Sequence, residues 1–514
     1  MNDLVRAAIP SLALCLAVGC SSHEERDWVT IPRPVHISVD DCGWQSGASL
    51  GSSNGPYRLG ARDPTLEDYA RLARIAKASG TRLLTLWVLS ELDRSGICAR
   101  PEYNQPLAPS DMTERGLAWD NSLLVSDANL SLMSFMRSNA AWLEFGLHGV
   151  RHEHWAEGVR TRAEFGNKTG ESWGIDNTTT HLACFTELMR QYYTPEESSF
   201  PASFVPPDHA YPTNESDSKA ESAVLNSFGV RFLQMPGSTR FESGVFLMDR
   251  DTTSSPTWSA EAALPGQPSE HQSWMMTHLP NFYGRDDEWI QWLSDIDIPM
   301  NTFLPKNSAL AASQILYSAF TRMRVSSDGL YLNTRDIPSE AYEYDLLSPI
   351  VLKVKLSGHT SIALSEASDL KLVAMYYDRH DHAILMLSQS EQPQGRLAQT
   401  VFHVQFDWDA SPRGDWIDLG SSTLLVHSLE RNSARTAQVD VEVYGQQTFD
   451  WIIPGFSVTS LRSDNPAITV LDWTWHPDLF RLSVTVTGRN MQGERGHLFA
   501  YQEVAGERRD ASSP

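Results

Sequence analysis

Two apolar runs in this chain stop on side chains that an ordinary strand end does not need. The first, Val35 to Trp44, climbs through Ile37 and Val39 into the adjacent carboxylates Asp40 and Asp41, then reaches Gly43. Strand side chains alternate between faces, so two neighbouring aspartates on a buried strand are not two ordinary surface groups of one face. The second, Trp142 to Trp155, runs through Phe145 and Leu147 into His148, His152 and His154. His148 and His152 stand four residues apart, a spacing that lets two imidazoles share a metal if the turn after the strand is helical. A carboxylate from a neighbouring strand would complete a His-His-Asp set with open positions. Loop capping by Asp40 and Asp41, and a solvated His-rich loop, are the plainer readings of the same residues.

The order of elements limits the fold. From residue 35 to about 335, strand-like and helix-like patterns alternate. Leu66, Tyr69, Leu72, Ala73 and Ile75 keep helical spacing behind Asp63-Pro64 and stop at Gly80, and Leu83 to Leu89 follows as a strand. Residues 91–125 read as a long irregular loop. Helices are expected over 129–139, 181–192, 218–228, 286–296 and 308–322, with strands near 203–205, 230–233, 246–248 and 274–277. Repeated β-then-α order implies a parallel sheet. About seven such units make an incomplete (β/α) barrel economical, with ligands at the carboxyl ends of its strands. After about residue 335 short alternating runs separated by turns replace this pattern. They predict an all-β C-terminal region, 336–514, of one or two sandwiches.

The two strand ends resemble those of the NodB-homology polysaccharide deacetylases, the carbohydrate esterase family four superfamily, over roughly residues 31–330. The resemblance implies a distorted (β/α)7-type barrel over 35–335. It implies a divalent metal, Zn²⁺ first with Ni, Co, Fe or Mn as alternatives, held by Asp41, His148 and His152. Asp40 would be the catalytic base, and His278, closing the run Met275-Met276-Thr277-His278, the general acid. The implied reaction is removal of acetyl groups from an N-acetylated exopolysaccharide or cell-wall glycan. This sequence departs from the family pattern at Gly149, where a Ser or Thr is usual. The Arg-x-Pro-aromatic motif has only Phe204-Val205-Pro206-Pro207 as a counterpart, without the Arg. A glycan-binding protein that has lost catalysis, and a glycoside hydrolase with paired carboxylates, remain the competing readings.

Trp44, Trp155, Pro206, Pro207 and Tyr211 are the candidate substrate-binding residues, the two indoles because each follows a ligand motif and can stack on a sugar ring. The turn Asp378-Arg379-His380-Asp381-His382 has a metal-like composition but reads as a solvated hairpin tip. A net charge of −23 excludes nucleic acid and an anionic membrane surface as partners.

Residues 1–20 read as a secretory signal. Leu16-Ala17-Val18-Gly19-Cys20 resembles a lipobox, which implies lipidation at Cys20 and a bacterial envelope location, periplasmic or on the outer membrane. The membrane would then be reached through the lipid, and exopolysaccharide export machinery is a further expected partner. Residues 21–34 read as a polar tether. In an oxidising compartment, Cys42 and Cys98 are expected on one rim of the sheet and are the proposed disulfide pair.

Overall fold

The computed structural model describes residues 28–43, 64–103, 127–152, 154–156, 159–237, 239–250, 273–389 and 400–502. The signal segment, Cys20, Trp44 and most of the expected 91–125 loop lie outside them. The protein is mixed α/β, with an all-β portion after residue 350.

The N-terminal part is built on one eight-stranded sheet. Its order runs Trp274–His278, His36–Cys42, Leu83–Val88, Leu143–Gly149, Ser203–Phe204, Phe232–Met235, Val245–Asp249 and Arg240–Glu242. Every neighbouring pair is parallel except the last. Among the described residues the two edge strands do not pair with each other, so the sheet is open.

Connecting helices cover one face. The helix Leu66–Ser79 shows why the sequence folds this way. Thr65, not the expected Asp63, caps it, with Asp68 reaching back to the Thr65 amide at 2.8 Å. Tyr69, Leu72, Ile75 and Ala76 face inward, and Gly80 ends it at φ 64°. Leu83, Phe145, Leu147 and Leu233 pack with this layer. The alternate residues Leu84, Leu86, Val205, Phe246 and Trp274 point to the other face.

That other face is filled from outside the sheet. Ala311, Ile315 and Leu316 of the helix Ser308–Phe320 pack there in one continuous core with Leu352, Leu385 and Phe402 of the β region. Residue 335 therefore marks a change of pattern, not a break in packing. The tether expectation also fails for its last residues. Val29–Thr30 pairs antiparallel with Ile350–Lys355, and Arg33–Pro34 pairs parallel with Thr302–Phe303. Val29 is buried in the shared core, and that burial holds the segment in place.

In the β region a second eight-stranded sheet, antiparallel but for one pair, faces a four-stranded sheet across an aliphatic core that includes Val439, Val441, Val484 and Leu498. The expected alternation is visible in Arg481–Gly488, whose residues are buried at every second position. No helix among the described residues is long and apolar enough to cross a membrane.

Candidate metal centre

Both ligand motifs sit at β-bulges. Between His36–Cys42 and Leu83–Val88, Val39 faces Thr85 while Cys42 faces Trp87, so one extra residue is inserted at the aspartates. Between Leu83–Val88 and Leu143–Gly149, Trp87 faces Leu147 while Val88 faces Gly149, and the inserted residue is His148. A bulge re-aims side chains. It cancels the alternation that should separate Asp40 from Asp41, and Asp41 completes the change at φ 60°. The parallel register sets His278 beside Asp40 on the next strand.

Asp41, His148 and His152 converge, with one ligand atom from each lying within 4.8 Å of the others. His148 Nε2 is 3.2 Å and His152 Nε2 3.4 Å from Asp41 Oδ1, and His278 Nε2 is 3.6 Å from Asp41 Oδ2. All are buried. The tautomer of His148 tests whether this set fits a metal. Its Nδ1 lies 2.8 Å from the Val205 carbonyl, which only accepts, so Nδ1 carries the proton. In the neutral ring Nε2 then aims a lone pair at a carboxylate oxygen. Two acceptors at 3.2 Å require a proton or a cation between them, and a carbonyl-oriented imidazole is a common arrangement around a bound ion. The donor set suits Zn²⁺ with open positions, and it also suits iron.

The turn that carries His152 is not helical. Gly149 has φ 133° and His152 φ 57°. What holds it is Glu164, fully buried, whose carboxylate accepts the amides of Val150 and His152 at 2.9 Å each and of Arg151 at 3.3 Å. His181 Nδ1 holds that carboxylate from the other side at 2.5 Å. A Cβ on Gly149 would lie 2.2 Å from Glu164 Oε2 and 2.9 Å from Pro207 Cγ. This close approach, with φ 133°, leaves room only for glycine at 149.

An arginine stands against Asp40, although the Phe204–Pro207 segment lacks one. Arg250, at the end of Val245–Asp249 and wholly buried, donates from Nη2 to Asp40 Oδ1 at 2.5 Å and to Ser38 Oγ at 3.0 Å. Burial pushes the Asp40 carboxyl up. Arg250, then His148 and His278, outweigh it, and Asp40 sits below its ordinary value. Burial likewise opposes ionisation of Asp41, but the bond from His148 and the nearby imidazoles hold it far below the carboxylate range. His278 is lowered, by burial first, with Asp41 and Asp40 pulling back. His209, at the same strand end as Pro206 and Pro207, is lowered to about 4 by burial and then by Arg250.

Other expected site residues fall elsewhere. Tyr211 is buried in the core, with its hydroxyl 3.0 Å from Ser222 Oγ on the helix Glu215–Phe228, so it does not line a substrate wall. Pro206 and Pro207 are buried, and Pro207 packs behind the Gly149 turn. Trp155 lies in the short strand His154–Ala156, and its side chain is outside the described structure. His154 stacks on Trp173 at 4.2 Å.

The Cys42–Cys98 pairing is not formed. All three described cysteines are free, Cys42 Sγ turns back to the Val39 carbonyl at 3.4 Å, and Cys98 Sγ faces Cys184 Sγ at 4.0 Å. The bulge that aims the aspartates into the site leaves Cys42 in the core.

Comparison with family models, curated proteins and solved structures gives no match for this chain.

Proposed function

We propose that the chain is a metal-dependent hydrolase of the NodB deacetylase kind, with the open parallel sheet as its distorted (β/α)7-type barrel. Its substrate class is an acetylated glycan, and N-acetyl groups are the favoured target. One observation carries this reading: a three-residue ligand set is flanked by an ionised carboxylate on the same strand and a third imidazole on the neighbouring one. A site that only bound a metal would need neither Asp40 nor His278.

Asp41, His148 and His152 would hold a divalent ion, which when bound would supply Lewis acidity toward a carbonyl and toward water near neutral pH. Asp40 is kept ionised by Arg250 and accepts the proton of the attacking water. Arg250 fixes Oδ1, which leaves Oδ2 as the proton acceptor. His278 is neutral at rest; it takes over the proton that Asp40 has accepted from water, which returns Asp40 to its ionised form, and delivers it to the leaving amine, a group that departs poorly unprotonated. Glu164 positions the His152 turn. Lipidation at Cys20, an envelope location and glycan-export partners belong to the same proposal and rest on the sequence alone.

The test is paired. His148→Ala and His152→Ala should each lose stoichiometric metal. Asp40→Asn should keep it and lose roughly 10²–10⁴-fold in acetate release from acetylated glycans. Metal retained in both histidine variants, or an Asp40→Asn loss below about tenfold, overturns the reading.

A further inference from the structure

At the amino-terminal end of the parallel sheet, opposite the metal centre, a cavity of about 210 Å³ opens between the two halves of the protein. Its walls come from the end of the helix Leu66–Ser79, the segment after Asp286–Asp295, and the hairpin that joins Leu370–Tyr377 to His382–Gln389. Three polar atoms in this wall are buried without a hydrogen-bond partner: Ser79 Oγ, Tyr376 Oη and His380 Nε2. Tyr376 as a whole is only 8% exposed. Buried polar groups are almost always paired, so three orphans around one cavity call for an occupant that pairs them.

The charges say what kind. Lys306 and Arg379 are matched by Asp297 and Asp378, so the wall has no net charge to recruit an ion. Lys306 is engaged already, donating to the Gly420 carbonyl at 2.9 Å and lying 4.1 Å over the Tyr376 ring. Asp378 is filled by the amides of His380 and His382 and by the His382 ring. Asp297 accepts the Leu304 amide at 2.7 Å. What remains unpaired is two hydroxyls and an imidazole, which both donate and accept, or can take either role by tautomer. Arg379 is exposed, reaching the Ala78 carbonyl at 3.5 Å, and its charge is offset by the wall's aspartates, so an anion has no net attraction here, while a divalent cation would need free carboxylates. Hydroxyl-rich neutral ligands need neither a net charge nor free carboxylates. Tyr377, 47% exposed at the rim, adds an open aromatic face.

We infer that this inter-domain cavity binds a neutral pyranose sugar, one ring deep, as a glycan contact separate from the metal centre. The inference does not rest on the proposed deacetylase chemistry, because none of its residues belongs to the metal centre.

Saturation-transfer NMR on the full chain, with glucose, galactose, mannose and N-acetylglucosamine as probes, tests it. At least one sugar should bind in chelator-treated protein and equally in Asp41→Asn. Affinity should fall roughly 5- to 10-fold in Tyr376→Phe and in Ser79→Ala, each the loss of one hydrogen bond. Thermal unfolding of both variants verifies that they fold, and Ser79→Ala is the gentler of the two. Binding of none of these sugars overturns the inference. So does binding unchanged in both variants, binding displaced by inorganic phosphate, or binding that disappears in Asp41→Asn and persists in Tyr376→Phe.

Discussion

Two buried clusters in this protein use the same residue types to opposite ends. At the metal centre, Asp41 is faced by the ring nitrogens of His148, His152 and His278 at 3.2 to 3.6 Å. Between the parallel sheet and the β region, the Asp378 carboxylate is also buried beside a histidine, but its lone pairs are spent on donors. The amides of His380 and His382 reach it at 2.7 and 3.1 Å, His382 Nδ1 at 2.7 Å, and Lys353 Nζ lies at 3.7 Å. Lys353 in turn donates to the Pro299 and Thr302 carbonyls at 3.1 and 3.0 Å. A carboxylate satisfied by the protein is structural. One ringed by three imidazoles at the carboxyl ends of parallel strands has the donor set that suits an ion.

Removing each aspartate should separate the two roles. Asp378→Ala removes one of the two carboxylates near the buried Lys353, leaving Asp297, and strips the His380 and His382 amides of their acceptor, so it should cost about 2–3 kcal/mol in urea unfolding. Asp41→Asn, unfolded under the same conditions with chelator present, should cost less, about 1 kcal/mol, because the asparagine keeps the volume and can still hydrogen-bond the His148 ring while Asp41 satisfies no buried lysine. Similar losses for both would erase the distinction.

Gly149→Ala sharpens the same contrast, since it disturbs the ligand turn without touching a ligand. The clash with Glu164 and the strained backbone should lower stability by about 1–3 kcal/mol and loosen metal binding. A variant as stable and as metal-loaded as wild type would mean that Glu164 does not hold the turn. A milder version is Glu164→Gln, which keeps the volume. It should weaken metal affinity roughly 10- to 100-fold by titration, the range usual for groups that orient ligands.

The smallest effect lies between the parallel sheet and the β region. Burial raises the Asp297 pKa to about 6, with Lys353 and Lys306 pulling down and Asp378 pushing up. A carboxyl raised in the folded state favours folding when protonated. Its contribution is complete below its unfolded value of 3.8 and is lost as pH rises through about 6. Asp297→Asn should therefore flatten the stability profile between about pH 4 and 6. A profile with the same slope there would place the titration on another group.

Legibility divided along the same line. Asp40, Asp41, His148, His152 and His278 could be read because each ends an apolar run, and the carboxyl ends of parallel strands gather in space. Glu164 and Arg250 could not. Each finds its partner only through a bulge or a distant strand end, and neither lies in a periodic pattern. The Asp378–His382 turn is the hairpin tip that was expected, with Arg379 and Asp381 exposed, but the bond between His382 and Asp378 was not legible in it. Here the hairpin is pressed against the end of the helix Leu66–Ser79, with His382 buried. Tyr211 was misplaced for a related reason: proximity to a strand end in sequence says little about which way a ring turns.

The pairing of Val29 with Val354 also orders events in time. A ribosome releases roughly 5–20 residues per second, so the first strand waits many seconds for its neighbour. The helix Ser308–Phe320 and the strands that fill the inner face of the sheet likewise emerge late. Until they do, Leu84, Leu86 and Trp274 have nothing to bury against. The nascent chain must pass through a long interval as an incomplete intermediate with apolar surface exposed, the kind of state that holdase chaperones recognise.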